Sequence, residues 1–457
     1  MTRSRQKIYA KTGNRQAFLL YETKGLNTER RPAGRRAAVG IRELNARFPG
    51  MLTGKALVEE ALRRLESIPA FGVMLLRIDD FFRLQEEQGD EAAISLLLDT
   101  AVVVDEEIRS REGFWGMIEQ DLIGAFLPEK TEADGREAAE EIRERFYGAR
   151  PETLTVGITE YPLAGYGRLD ALKNARKALH HARFSGPGGI TAFDAVSLNI
   201  SADQLFQDGN ISAAAEELKA ALKMNPSDAD IRNSLGVCYA SLGALNSALR
   251  EFKAAAGMRR DAVMPTHNIG LVYEMMGDAE QALAYLVEAD QKGGDVFEPP
   301  FQIGRIYLQE GLPEKAQPYL ERAAALNPAS GAAARKLGKC LLARDDIDGA
   351  VTAFSTAVKR NPNDAASLSE LGLLFHRKGE NPDIALLFCR HSVAVSPRCG
   401  LYHQRLGRLC TALNRPDEAM AAFQRAQALG CDSQAHIARL QEAGIAAEES
   451  PPNKETA

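Results

Sequence analysis

From about residue 198 onward, small and large apolar positions recur with a fixed period. Glycines stand at 236, 270, 304, 338, 372 and 407, spaced 34, 34, 34, 34 and 35 residues apart. Each follows an apolar residue: Leu235, Ile269, Ile303, Leu337, Leu371 or Leu406. Three positions further on, four units carry an aromatic residue: Tyr239, Tyr273, Tyr307 and Phe375. Twelve positions after the glycine comes alanine (Ala248, Ala282, Ala316, Ala350, Ala419), and four later a large apolar residue (Phe252, Leu286, Leu320, Phe354, Phe423). Pro226, Pro328, Pro362 and Pro397 close units. This is the pattern of antiparallel helix pairs: glycine and alanine sit where two helices approach closely, large residues fill the gaps between turns, and proline stops the second helix.

Between about 49 and 197 the pattern changes. Residues 71–79 form an apolar run edged by charge and predict a buried strand. A helix is predicted at 55–67, helix over 80–110 with a break near Gly89, helix at 133–147, a strand at 154–160, helix at 170–184 and a short strand at 190–193. Between them, Gly116-Met-Ile-Glu-Gln-Asp-Leu-Ile-Gly-Ala-Phe-Leu-Pro128 reads as strand, turn, strand. Its turn, Glu119-Gln120-Asp121, carries two carboxylates and none of the Asn-Gly or Asp-Gly chemistry that eases a tight hairpin through positive φ. The order β-α-α-β-β-α-β-α-β implies an α+β domain whose antiparallel-rich sheet is covered by helices.

The repeating half resembles the tetratricopeptide repeat (TPR) family. An earlier unit with Ala202, Leu205, Ala214, Leu218, Ala221 and Pro226 brings the expected number of repeats to seven, over 198–431, followed by a capping helix at 432–447 and a disordered tail at 448–457. The resemblance implies an all-α superhelix whose concave face, lined by the first helix of each pair, binds peptides or partner proteins. Counting from each repeat start, that face should carry Asn233, His267, Asn268, Arg305, Arg335, Lys339, Arg377, Arg405 and Arg408. It is basic, so an acidic peptide would suit it, since guanidinium groups grip carboxylates bidentately. The alternative is an ordinary solvated helix face.

The middle segment resembles the GGDEF domain of diguanylate cyclases. The likeness rests on Leu75-Leu-Arg-Ile-Asp-Asp-Phe81, the hairpin, Leu154-Thr-Val-Gly-Ile-Thr159 and Ala178-Leu-His-His-Ala-Arg-Phe-Ser-Gly186. It implies a nucleotide-cyclase-like fold but an impaired site. The family's first metal-binding aspartate falls on Arg77, while Asp79 and Phe81 remain. The signature Gly-Gly-Asp-Glu-Phe becomes Glu119-Gln120-Asp121-Leu122-Ile123. Without glycines the backbone cannot approach a phosphate closely, and a fixed cation opposes a metal. The guanine-reading positions fall near Gln85 and Ile94, and the phosphate-binding pair on Arg183 and Pro187. Arg109-Ser-Arg-Glu112 resembles the family's inhibitory site for cyclic di-GMP, but lies one residue early with Glu for Asp. Arg77 should pair with Asp121 across adjacent strands, because a half-buried cation needs an anion nearby.

Charge and cysteines narrow the picture further. Residues 1–48 carry twelve Lys or Arg against three Glu, a balance of +9, so a net charge of −6 leaves −15 on the remainder. That basic leader is expected to be a solvated, poorly ordered segment rather than a nucleic-acid arm. Six cysteines without a C-x-x-C pair fit reduced thiols rather than a zinc site. The three histidines 376, 391 and 403 lack the spacing of a metal site. No apolar run is long enough for a membrane span, and no secretory signal is evident. The expectation is a cytoplasmic, bacterial-type signalling scaffold: a non-catalytic pseudoenzyme domain, without cofactor, joined to a protein-binding repeat array. A cyclic di-GMP or GTP receptor is the alternative, and a divergent cyclase the third reading.

Overall fold

A computed structural model describes residues 40–184, 186–259 and 261–448, which form two compact units dividing between Met276 and Gly277. Most of the basic leader (1–39) and the tail beyond 448 lie outside the described residues. The end of the leader is helical, in contrast to the disorder expected of it: α1 (Ile41–Arg47) buries Leu44 completely against the core that contains α4.

The first unit opens with α2 (Gly54–Leu65), β1 (Phe71–Ile78), α3 (Phe81–Gln88), α4 (Asp90–Ser110), β2 (Phe114–Glu119), β3 (Leu122–Pro128), α5 (Glu132–Tyr147), β4 (Leu154–Tyr161), α6 (Ala171–Phe184) and β5 (Ile190–Ala192). The strands form one sheet in the order β2-β3-β1-β4-β5, antiparallel except for the β4–β5 pair. Side chains alternate across β1 as the pleat requires. Met74, Leu76 and Ile78 join a core with Leu96, Ala101 and Ile142 from α4 and α5, while Phe71, Val73 and Leu75 join Leu57, Ala61, Ala175 and Leu179 from α2 and α6. Both faces are therefore covered, which explains why β1 is an apolar run rather than an alternating one. At Gly157 of β4 there is no room for a side chain: a Cβ there would overlap the Leu179 amide and the Ala175 carbonyl of α6.

The hairpin solves its turn without glycine. Glu119 pairs with Leu122, leaving only Gln120-Asp121 in the loop, and the register shifts between Met117 and Glu119. Neither loop residue has positive φ. The irregularity in β2 supplies the twist that a primed turn would otherwise give.

The first unit continues with α7 (Ala195–Gln207), α8 (Ile211–Met224), α9 (Ala229–Ser241), α10 (Leu245–Met258) and α11 (Val263–Met275). The helices begin at Ala195, three residues ahead of the expected start of the repeats. Ala178 of α6 and Phe193 share a core with Leu198 and Ala202 of α7 and Leu218 of α8, and Lys177 Nζ donates to Glu217 of α8 at 2.7 Å. The sheet domain and the first helix pairs are thus continuous.

The second unit holds α12 (Ala279–Lys292), α13 (Glu298–Gln309), α14 (Pro313–Leu326), α15 (Gly331–Ala343), α16 (Ile347–Arg360), α17 (Ala365–Arg377), α18 (Pro382–Val395), α19 (Gly400–Ala412), α20 (Pro416–Ala428) and a final helix α21 (Gln434–Glu448). Helices start on side-chain caps that recur along the chain: Asn210, Asp278 and Asp346 each accept from an amide of the following turn. They stop two residues before the periodic prolines 226, 328, 362 and 397. The periodic glycines do what their spacing implies. A Cβ on Gly236 would lie 2.6 Å from the Phe252 ring, on Gly338 2.9 Å from Phe354, and on Gly407 2.8 Å from Phe423. All three aromatic residues are essentially fully buried.

Candidate functional site

Two regions hold the residues singled out from the sequence. In the sheet domain, Arg77 near the end of β1 faces the hairpin. Its Nε lies 3.3 Å from Asp121 Oδ2 and its Nη2 3.7 Å from Glu119 Oε2. Glu119 Oε1 in turn accepts from Arg176 Nη1 of α6 at 2.9 Å. Both partners of the Arg77–Asp121 pair are mostly buried, and the Asp121 carbonyl also accepts from the Ile78 amide at 2.9 Å. Leu122 pairs with Arg77 across the strands and is completely buried in the core beneath α2 and α6. Leu122 is therefore a packing position. Gln120 occupies the loop.

Asp79 is committed as well. Its carboxylate accepts from Thr153 Oγ1 at 2.7 Å, Thr155 Oγ1 at 2.8 Å and the Gly188 amide at 3.0 Å. It ties β1 to β4 and to the turn before β5. His180 on α6 is exposed at the surface; desolvation of its ring by the surrounding protein, then Arg77, Arg183 and Arg176, lowers its pKa. Arg183 itself is exposed, one turn beyond. Arg109 and Glu112 do not form a pair. Arg109 Nε donates to Asp105 at 2.7 Å, a carboxylate that also takes the Trp115 indole, while Glu112 sits at positive φ in the turn after α4.

His181, beside His180 on α6, is not free. Its Nδ1 lies 3.1 Å from Ser197 Oγ and 3.2 Å from Asp194. The three residues are not a catalytic triad, because Ser197 is fully buried and donates to Asp194 in the box that caps α7.

In the helical region the structure separates the residues expected on one face. Asn233, His267 and Asn268 are buried rather than lining an open surface; His267 and Asn268 have no exposure at all. Asn268 Nδ2 donates to Asn233 Oδ1 at 3.0 Å, joining α11 to α9. Short amides and an imidazole at these positions are enclosed by the helix packing, with Pro265 to Val272 of α11 buried throughout. Several of the arginines already have carboxylates. Arg335 Nη1 lies 3.0 Å from Asp364, the buried cap of α17. Arg405 reaches Glu370 at 2.9 Å and Ser369 Oγ at 3.1 Å. Arg377 pairs with Asp345 at 2.7 Å. Arg305 donates to Gln302 and Gln309, at 2.7 and 3.0 Å. Lys339 and Arg408 are exposed and make no ion pair among the described residues.

One residue of this surface escaped the sequence reading. Lys336, half-buried on α15, has no carboxylate partner among the described residues. Burial, and then Lys339, Arg305 and Arg335, pull its pKa down to about 8. The signal was present as Arg335-Lys336-x-x-Lys339, but counting a single stripe per helix skipped the residue beside it.

Models of the tetratricopeptide repeat match residues 201–265, 307–371 and 402–429. The helical region is a tetratricopeptide-repeat array. No curated protein matches the chain. Among solved structures, the repeats are similar to YrrB, a TPR protein with an unusual peptide-binding site, at 23% identity, a TM-score of 0.36, and 40% of this chain against 94% of that one. They are also similar to MamA, at 24% identity and a TM-score of 0.34 over 35% of this chain and 94% of that one. A tetratricopeptide repeat protein from Parabacteroides merdae gives 19% identity and a TM-score of 0.39 over 54% and 97%. Among the described residues no group of His, Cys, Asp or Glu is arranged to hold a metal, and no helix is long and apolar enough to cross a membrane.

Proposed function

We propose that this chain is a non-catalytic, cytoplasmic scaffold that captures an acidic segment of a partner protein on its repeats, and that its sheet domain is a GGDEF-like pseudoenzyme. The observation that carries the capture is the cationic cluster on α13 and α15. A half-buried ammonium that feels three further cations and has no carboxylate partner among the described residues is electrostatically incomplete. A partner carboxylate seated at Lys336 would relieve that repulsion, and Lys339 lies exposed one turn away to extend the contact. Arg335 and Arg405 contribute less than their charge suggests, since each is already held by a carboxylate of the array.

What supports the pseudoenzyme reading is the use to which the hairpin charges are put. Joining two nucleoside triphosphates needs carboxylates free to hold divalent metal at the phosphates. Asp121 faces Arg77, Glu119 faces Arg176, and Asp79 holds Thr153, Thr155 and Gly188. Two experiments test the two halves. A pull-down with the full chain and with Lys336→Glu/Lys339→Glu should show partner capture lost in the variant; equal capture refutes the acidic-segment reading. Incubation with GTP and magnesium or manganese should yield no cyclic dinucleotide, and product that disappears in Asp121→Ala refutes the pseudoenzyme reading.

A further inference from the structure

The sheet domain contains a cavity at the end opposite the hairpin. It has a volume of about 550 Å³ and lies between α2, α6 and the turn Arg168–Asp170, with β1 and β3 as its floor. That size falls within the roughly 300–1,000 Å³ of sites for small organic ligands. Phe71, Val73 and Phe126 form the floor, and Leu65 and Leu172 the walls. Two leucines at its mouth, Leu62 and Leu169, are 40% and 67% exposed. Exposed leucines on either side of an apolar cavity extend its apolar surface to the entrance.

Arg168 gives this cavity its chemistry. It is half-buried, and its guanidinium lies over the Tyr161 ring at 4.5 Å and near the Phe71 ring at 6.0 Å. Its Nη1 donates to the Leu65 carbonyl at 2.8 Å and to the Ile68 carbonyl, at the negative end of α2. Those bonds occupy one of three nitrogens, whereas a guanidinium carries five N–H donors. Among the described residues Arg168 has no carboxylate partner. The other cations in the lining are satisfied: Arg63 is gripped by Glu60, and Lys173 lies 3.7 Å from Asp170. Glu66, the one carboxylate in the lining, is exposed and makes no ion pair among the described residues.

We propose that this cavity binds an amphiphilic carboxylate, with its hydrocarbon tail on the Phe71–Val73–Phe126 floor and its head on Arg168. The tail would gain affinity with each methylene it buries. The head would complete an arginine that the fold has already oriented by stacking and by two carbonyls, so little freedom is lost on binding. The ring faces and the helix end hold Arg168 in place but do not neutralise it, which distinguishes it from Arg63, the other arginine in the lining.

Calorimetric titration of the full chain with decanoate, and with decan-1-ol as the uncharged counterpart, tests this. Decanoate should bind saturably and at least about tenfold more tightly than the alcohol, a difference of roughly 1.4 kcal/mol. Arg168→Gln should remove that preference while leaving the alcohol within about twofold, and Arg168→Lys, which keeps the charge, should restore most of it. Val58→Trp, which fills the cavity from a half-exposed position on α2, should abolish binding of both. If Arg168→Gln fails to fold, the Arg168→Lys and Val58→Trp arms still decide. Absence of saturable binding up to about 1 mM decanoate, equal affinity for the two ligands, or binding unaffected by Val58→Trp would each overturn the proposal.

Discussion

At the tip of the β2–β3 hairpin, Arg77 lies against Asp121 and Glu119, and Glu119 takes Arg176. On α15, Lys336 feels the charges of Lys339, Arg305 and Arg335, which lower its pKa, and makes no ion pair among the described residues. Both sites cluster charge, and charge alone would nominate either as functional. The hairpin is balanced by its own chain, so a ligand there must first break ion pairs. Lys336 has no ion pair among the described residues, so an anion arriving there gains without displacing a carboxylate from it. A cluster therefore points to a ligand only after its internal partners have been counted.

The packing of the two regions differs in the same sense, and this gives the largest expected effect. Gly157→Ala drives a methyl into the backbone of α6, which cannot move aside, and should destabilise the sheet domain by roughly 3 kcal/mol or more. Gly338→Ala meets only the Phe354 ring and should cost about half as much. Thermal unfolding of the two variants measures the contrast; equal losses would remove it. Next comes Arg77→Ala, which strands the largely buried Asp121 and should cost roughly 2–3 kcal/mol. A cycle with Asp121→Ala should return much of that, whereas additive losses would mean the pair is not coupled. Asn268→Ala removes a buried hydrogen bond to Asn233 Oδ1, at about 1–2 kcal/mol in urea unfolding.

Lys336→Met should act in the opposite direction. Below pH 8 the lysine is charged both folded and unfolded, so the folded state carries the full repulsion. Between about 8 and its ordinary value of 10.5 the folded protein loses that proton first and the penalty fades. The variant should therefore be more stable than the parent by about 1 kcal/mol at pH 7, with the difference vanishing toward pH 10.5. A constant difference across that range would show that Lys336 is not strained.

Much of the fold was legible because it rests on local rules. The 34-residue spacing of glycines and prolines places the helices, and the apolar run of β1 with its charged edges marks a strand buried on both faces. The Gly116–Pro128 segment is a hairpin, as its flanks require. The sites were less legible, because the sequence shows which residues carry charge and not which charges meet. Asn233 and Asn268 are 35 positions apart, one more than the 34-residue period, and that near-repeat spacing suits a shared open face and a buried hydrogen bond between their amides equally. Arg335 and Arg405 look alike with Lys339 in the sequence, but Asp364 and Glu370 reach the two arginines from neighbouring helices. Lys336 was hidden beside Arg335 for the same reason: its significance lies in what fails to approach it.

On the proposed reading an acidic segment binds the repeats at Lys336 and not at the balanced hairpin. The most direct measurement is fluorescence anisotropy of a labelled glutamate-rich peptide titrated with the full chain. Affinity should fall more than about tenfold in Lys336→Glu/Lys339→Glu and stay within about twofold in Arg176→Gln. Undiminished binding in the lysine variant, or a matching loss in Arg176→Gln, would contradict the account.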